Sequence, residues 1–76
     1  MKELVEYMAR SVVDFPDQVV VTERRSGDRV SLHLQCAEED RGKVIGKGGR
    51  IAQSMRALLK VAAVQEGVRV QLEIGD

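Results

Sequence analysis

The stretch from Val44 to Ile51, Val-Ile-Gly-Lys-Gly-Gly-Arg-Ile, constrains the fold of this chain more than any other. Glycines occupy positions 46, 48 and 49, and each glycine inside a helix costs about 1 kcal/mol relative to alanine. The segment is therefore predicted to be a tight turn between two helices, where glycine can take positive φ. Such a turn exposes the first amide N–H groups of the next helix, which together with the helix dipole favour an anion. Lys47 adds a positive charge at the tip, so the turn is predicted to bind a phosphate backbone.

The charges are unevenly distributed, although the 76-residue chain has 12 basic and 12 acidic side chains and a net charge of zero. Residues 41–60 contain six bases and no acid, so the rest of the chain carries six bases against 12 acids. The six bases are Arg41, Lys43, Lys47, Arg50, Arg56 and Lys60. A basic zone around the glycine turn, in an otherwise acidic chain, indicates a surface directed at a polyanion.

Length and composition predict one domain, spanning residues 1–76. Hydrophobic residues make up 43% of the chain and charged residues 32%, which is typical of a soluble globular protein. No apolar run approaches the roughly 20 residues that span a membrane. The single Cys36 excludes an internal disulfide and fits a reducing compartment. A cytoplasmic protein without membrane contact is expected.

The first half of the chain predicts one helix and two strands. Apolar residues recur at helical spacing over residues 2–13, and the residue before Pro16 is unfavourable for helix, which ends the pattern there. Phe15 is expected to cover one end of the core. β-Branched residues then predict a strand from residue 19 to 25, and Ser26-Gly27-Asp28 predicts a hairpin turn. Alternating apolar residues from Val30 to Cys36 predict a second, half-buried strand.

The second half predicts two helices and a third strand. Glu38, Glu39 and Asp40 are expected to form a solvated acidic cluster at the start of a short helix that ends near Ile45. A longer helix follows over residues 51–65, with Gly67 as its stop. Its predicted buried stripe comprises Ile51, Met55, Leu58, Leu59 and Ala62, flanked by Ala52 and Ala63. Alternation over residues 68–74 gives the last strand. The order α-β-β-α-α-β predicts an α+β fold, a three-stranded sheet with helices packed on one face.

Catalytic and metal-binding alternatives fit the sequence poorly. The glycine segment lacks the four-residue spacer of a nucleotide P-loop, and Gly48 stands where a Ser or Thr should follow the lysine. His33 and Cys36, three apart on one strand, point to opposite faces and do not form a metal site. No nucleophile–base pair is visible. The chain is predicted to be neither an enzyme nor dependent on a cofactor or metal.

The motif Val44-Ile45-Gly46-Lys47-Gly48-Gly49, set between a short and a longer helix, resembles the Gly-x-x-Gly signature of the KH domain, an RNA-binding module. The element order resembles the type II, bacterial form of that fold. Leu4-Val5-Glu6-Tyr7, Phe15-Pro16-Asp17 and Gly49-Arg50-Ile51-Ala52 extend the resemblance over the whole chain. In length and layout the sequence is similar to the small bacterial single-KH proteins of the KhpA (YlqC-like) family.

The resemblance implies a mechanism and a set of partners. The loop Gly46-Lys47-Gly48-Gly49 would bind the backbone of about four unpaired nucleotides of single-stranded RNA, with the bases in a groove between helices and sheet. Lys47 and Arg50 would contact phosphates, Ile45 and Ile51 would form an apolar wall, and Lys43 would add attraction at the entrance. The family further implies a homodimer, or a heterodimer with a larger KH protein of the KhpB (Jag or EloR) type.

A second hypothesis stays open on the sequence alone. The face around the glycine loop could be a protein–protein interface that forms the homo- or heterodimer, with RNA binding secondary. The zero net charge favours this alternative slightly, whereas the basic segment 41–60 favours RNA. Phosphate contacts weaken steeply with ionic strength, and an apolar dimer interface does not, so salt dependence separates the two hypotheses.

Overall fold

The computed structural model describes residues 1–75, apart from the side chain of Lys47. Asp76, the last residue of the predicted domain, lies outside the described residues. The order α-β-β-α-α-β is confirmed, with helices α1 Lys2–Val12, α2 Arg41–Ile45 and α3 Arg50–Glu66, and strands β1 Val20–Ser26, β2 Arg29–Gln35 and β3 Arg69–Ile74. Short 3-10 turns at Pro16–Gln18, Glu38–Asp40 and Lys47–Gly49 connect these elements. Within residues 1–75, no helix is long and apolar enough to cross a bilayer.

The sheet is mixed and has the order β1-β2-β3, so β3 is an edge strand. β1 pairs with β2 in the antiparallel sense, and β2 pairs with β3 in the parallel sense, with Leu32 opposite Leu72. Val30, Leu32 and Leu34 are buried, while the residues between them point to the other face. The helices cover the apolar face, and the opposite face of the sheet carries polar side chains.

The buried row of α3 differs from the predicted stripe. It consists of Ala52, Met55, Leu59 and Ala63, which repeat every three or four residues along the helix. Leu58 was predicted to be a core residue, and this is wrong, because 48% of its surface is exposed. One residue step turns a helix by about 100°, so Leu58 cannot share the sheet-facing side with Leu59 when that row already fills it.

Two expectations about the chain between α1 and α2 are wrong. Phe15 does not cover the core, since it is 42% exposed and lies outside the core cluster. Asp40 is not solvated but completely buried, whereas Glu38 and Glu39 are exposed as expected. The Asp40 carboxylate accepts the backbone N–H groups of Asp14 at 3.1 Å and Phe15 at 3.0 Å. These bonds hold the chain after α1 against the start of α2.

Candidate nucleic-acid interface

The glycine turn joins α2 to α3 in a compact, defined conformation. Gly46, Gly48 and Gly49 have φ values of 75°, 62° and 74°, all in the region that disfavours side chains with a Cβ. The Gly46 N–H donates to the Gly42 carbonyl at 2.8 Å, and the Gly49 N–H donates to the Gly46 carbonyl at 3.1 Å. The predicted helix–turn–helix arrangement of this segment is therefore what the backbone adopts.

Gly46 and Gly48 are required for different reasons. A Cβ at position 46 would lie 2.9 Å from Cγ1 of Ile51, closer than real Cβ contacts come. The half-buried Ile51 thus packs directly over the Gly46 backbone. A Cβ at position 48 would meet nothing within 4 Å, so the space outside Gly48 is open. Gly46 allows close packing inside the loop, while Gly48 allows a ligand to approach it from outside.

The start of α3 presents backbone donors beside this open space. The first N–H groups of a helix have no partner within the helix, and a side-chain cap usually satisfies one of them. Gly49 stands at the N-cap of α3 and has no side chain, so it makes no cap hydrogen bond. Amide groups and the positive end of a 17-residue helix therefore face the surface where Gly48 is open. This arrangement can bind a phosphate oxygen.

A groove runs between α3 and β3, beginning at Arg56, nearly two turns into the helix after the loop. Its volume is about 660 Å³. Residues that line it are Arg56, Leu59, Lys60, Ala63 and Val64 from α3, and Val68, Arg69, Val70, Gln71 and Leu72 from β3 and its approach. The groove is thus apolar along its floor and basic along its helix side. We refer to it as the α3–β3 groove.

Arg56 crosses the groove and contacts the edge strand. Its Nη2 donates to the carbonyl oxygen of Leu72 at 3.2 Å. Because β3 lies at the edge of the sheet, this bond satisfies one of the strand's outward carbonyl groups. The guanidinium group is thereby fixed in the groove, and four of its five N–H donors are not used by this bond.

Lys43, in the middle of α2, contacts two carboxylates, one on the chain after α1 and one on the residue that precedes α2. Its ammonium group is hydrogen-bonded to Asp14 and lies 3.8 Å from Oδ1 of Asp40. The hydrogen bond that the Lys43 ammonium group donates to the Asp14 carboxylate is the main cause that raises the pKa of Lys43 above its ordinary value. Lys43 therefore stays protonated, and its charge is directed at the chain following α1, where Asp14 competes with any phosphate for the same ammonium group.

The comparisons with known proteins agree with this geometry. The family model described as the KH domain of KhpA and KhpB matches residues 2–74. The chain is 51% identical to the RNA-binding protein KhpA of Clostridium acetobutylicum over 97% of this chain and 99% of that protein. It is 50% identical to RNA-binding protein KhpA of Caldanaerobacter subterraneus over the same shares, and 36% identical to that of Bacillus subtilis over 100% and 94%. The chain belongs to the KhpA/KhpB KH-domain family.

Most of the residues predicted for the KH motif are brought together around the loop. Ile45 is 39% exposed at the end of α2, Ile51 packs on Gly46, and Arg50 is exposed at the first position of α3. The side chain of Lys47 lies outside the described part of the structure. Lys43 is the exception, since it contacts Asp14 instead of facing the loop. That these residues contact RNA stays a prediction.

Sequence reasoning missed two parts of this KH domain. Asp40 was predicted to be a solvated acid, but its carboxylate joins the start of α2 to the chain after α1 through two hydrogen bonds from backbone N–H groups. A groove between helices and sheet was expected from the family resemblance, but β3 residues such as Val68 and Val70 were not assigned to it. The apolar alternation of that strand was visible in the sequence, but its edge position depends on parallel pairing with β2. Among the described residues, no group of three or more potential ligands is placed to hold a metal ion.

Proposed function

We propose that this KH domain binds single-stranded RNA, with the sugar–phosphate backbone on the Gly46–Gly49 loop and about four nucleotides in the adjoining groove. The observation that carries the proposal is the loop itself. Three positive-φ glycines leave open space over Gly48, directly beside the uncapped amide groups of α3. The relatives with about half of their residues identical are named RNA-binding proteins.

Each loop residue has a role that follows from its position. The amide N–H groups after Gly49 donate hydrogen bonds to a phosphate, and the positive charges of Lys47 and Arg50 attract the same phosphate and its neighbour. Ile45 and Ile51 provide an apolar surface beside the backbone. Lys43 adds long-range attraction, which Asp14 reduces in the unbound protein.

The groove composition favours RNA binding with little sequence preference. Its apolar lining comes from Leu59, Ala63, Val64, Val68 and Val70, and none of its lining residues is aromatic. Stacking of bases on aromatic rings, which supplies about 1–3 kcal/mol per base in other single-strand binders, is absent from this groove. Bases would be held by aliphatic contacts and by hydrogen bonds to the β3 edge. Affinity for a short RNA should therefore be weak and dominated by backbone contacts.

A matched pair of loop variants tests the proposal. Lys47→Asp with Gly48→Asp places two carboxylates where phosphate would bind, and Lys47→Asn with Gly48→Asn places side chains of nearly the same shape without the negative charge. Asn and Asp tolerate positive φ better than other residues, and position 48 has open space, so both variants should fold. Circular dichroism and thermal unfolding would verify that they do.

Binding would be measured by fluorescence anisotropy with a labelled single-stranded RNA at several salt concentrations. We expect the aspartate pair to lose binding, and the asparagine pair to retain it with a salt slope lower by about 0.7, the value of one phosphate contact in single strands. Equal binding by wild type and the aspartate pair would refute the proposal. Equal loss in both pairs would show that the loop shape, not phosphate attraction, is what matters.

Association with a second KH protein is a separate candidate function, favoured by exposed apolar residues on the outer side of α3. Leu58, Val61 and Val64 are 48%, 59% and 73% exposed and follow one another at intervals of three residues. Val64, at one end of this row, also lines the α3–β3 groove. An apolar row of this kind is typical of a protein interface. We infer that a homodimer, or a heterodimer with a KhpB-type partner, would form through this row instead of the loop face.

Sedimentation velocity tests the dimer without disturbing the loop. Val61→Glu introduces a charge in the middle of the row, and Gln35→Glu introduces the same side chain at an exposed position on the opposite side of the sheet. Val61 does not line the α3–β3 groove. Dissociation by Val61→Glu alone would support the α3 interface. A monomeric wild type, or a dimer that survives Val61→Glu, would contradict it.

A further inference from the structure

Three arginines meet at one end of the open face of the sheet. In the strand register, Arg29 of β2 lies directly opposite Arg69 of β3. Arg24 of β1 lies opposite Ser31 of β2. Ser31 is two residues from Arg29 on the same strand, so Arg24 lies diagonally across from Arg29. The buried Val30 alternates with Arg29 and Ser31, so all three arginines are on the face away from the helices. We call Arg24, Arg29 and Arg69 the arginine cluster.

The arginine cluster is electrostatically unfavourable for the fold alone. Neighbouring strands lie about 4.8 Å apart, and like charges directly opposite one another destabilise a sheet. Within the described residues, none of the three arginines forms an ion pair, although Arg25, on the other face of β1, lies 3.7 Å from Glu66. The backbone carbonyl oxygen of the nearby Asp28 accepts the Arg69 backbone N–H at 2.7 Å. Among the described residues, the Asp28 carboxylate accepts no hydrogen bond from an arginine side chain. A bound anion would remove this repulsion.

The arginine cluster is continuous with the α3–β3 groove. Arg69 and Gln71 line the groove, and the same two residues line a shallow hollow on the sheet with Arg29 and Ser31. This is possible because β3 is the edge strand, with the groove on one side and the open face on the other. A nucleic-acid strand leaving the groove at its Gly67 end would therefore reach the arginine cluster by passing over β3.

The position of the arginine cluster separates it from the nucleotides at the glycine loop. α3 begins at the loop and has 17 residues, so its far end lies about 25 Å away at 1.5 Å per residue. β3 begins at Arg69, immediately after that far end. The arginine cluster is thus placed for the phosphates that follow the bound segment, not for those on the loop.

We propose that Arg24, Arg29 and Arg69 form a second phosphate-binding site that extends the RNA footprint beyond the KH groove. The inference rests on the proposed RNA-binding function and adds a further stretch of the same strand. Guanidinium groups match phosphate oxygens in paired hydrogen bonds, and three of them on one face can contact successive phosphates. Long strands then bind more tightly than strands that only fill the groove.

The test compares two RNA lengths. Labelled single strands of about four nucleotides, which fill the groove, and of about twelve, which extend past it, are titrated with each variant. The test variant is Arg24→Gln with Arg29→Gln, two residues that do not line the α3–β3 groove. The control is Lys2→Gln with Arg10→Gln, which removes the same charge from α1. Removing two phosphate contacts should lower the salt slope by about 1.4 and weaken binding of the long strand roughly tenfold at 0.15 M salt.

The expected result is specific to length and to the arginine cluster. The short strand should bind the test variant and wild type within about twofold, and the control should bind both strands as wild type does. Thermal unfolding should show the test variant as stable as wild type or more stable, because Arg69 no longer has a like charge directly opposite it. Arg24→Gln alone removes one of the two phosphate contacts and should weaken binding of the long strand about fourfold.

Two results would overturn the inference. If the long strand binds the test variant as well as wild type, the arginine cluster does not contact RNA, and the loop function stands by itself. If the control weakens the long strand as much as the test variant, the effect reports net charge and not a site. Loss of both strands in the Lys47→Asp with Gly48→Asp variant would still establish the loop as the primary contact.

Discussion

The buried carboxylate of Asp40 should contribute more to stability than any other polar side chain near the loop. Asp40→Asn preserves the size of the side chain but replaces one acceptor oxygen with an NH₂ group, which cannot accept a backbone N–H. One of the two bonds, to Asp14 at 3.1 Å or to Phe15 at 3.0 Å, is then lost, and the other loses its charge. The site has no exposed surface where water could compensate.

The expected magnitude follows from these contacts. A hydrogen bond to a charged group contributes about 1.5–3 kcal/mol, and an unsatisfied buried donor adds a desolvation cost, so Asp40→Asn should cost about 3 kcal/mol. A 76-residue domain has roughly 4–11 kcal/mol of stability in total. In a domain of this size, 3 kcal/mol lowers the melting temperature by about 12–24 °C.

Urea unfolding followed by circular dichroism measures this free energy directly. The matched control is Glu39→Gln, the same change of carboxylate to amide one residue earlier, at an exposed position. We expect the control to change stability by less than about 0.5 kcal/mol. If Asp40→Asn and Glu39→Gln had equal effects, or if Asp40→Asn cost less than about 0.5 kcal/mol, the reasoning about this buried site would be wrong.

Two further predictions concern the loop and its charges. Gly46→Ala should destabilise the domain more than Gly48→Ala in the same urea assay, because both strain φ but only position 46 lacks room for a Cβ; equal costs would contradict the packing argument. Asp14→Asn should strengthen RNA binding and raise the salt slope by about 0.7, since it frees the Lys43 ammonium group for phosphate. Asp17→Asn, which removes the same charge from an exposed acid with no ion pair among the described residues, should have a smaller effect on anisotropy titrations. An equal gain from both variants would show that only net charge matters.

The sheet and the glycine turn could be predicted from sequence because their signals are local. Alternation through Val30, Leu32 and Leu34 sets a period of two that places these side chains on one face whatever the partner strand is. The glycines at 46, 48 and 49 disfavour a continuous helix through the segment, because each costs about 1 kcal/mol relative to alanine, mainly in backbone entropy. These constraints do not depend on contacts distant in sequence.

The other features of the fold and the site could not be predicted, because they depend on contacts between residues that are distant in the sequence. Leu58 and Leu59 are chemically identical neighbours, and only the direction in which α3 meets the sheet decides that Leu59 is buried. Asp40 lies beside two exposed acids, and its burial depends on backbone donors 25 and 26 residues earlier. The pairing of Arg29 with Arg69 likewise follows from the parallel register of β3, not from either local pattern.

We propose that the Gly46–Gly49 loop and the α3–β3 groove bind the same RNA strand. The most direct measurement is a titration of the ¹⁵N-labelled domain with a single-stranded RNA of about four nucleotides, followed by amide chemical shifts. We predict that the largest shifts fall on Gly46 to Arg50 and on β3 residues such as Val70, and that they weaken as salt rises. Shifts confined to the Leu58 and Val61 side of α3, or none at all, would contradict the claim.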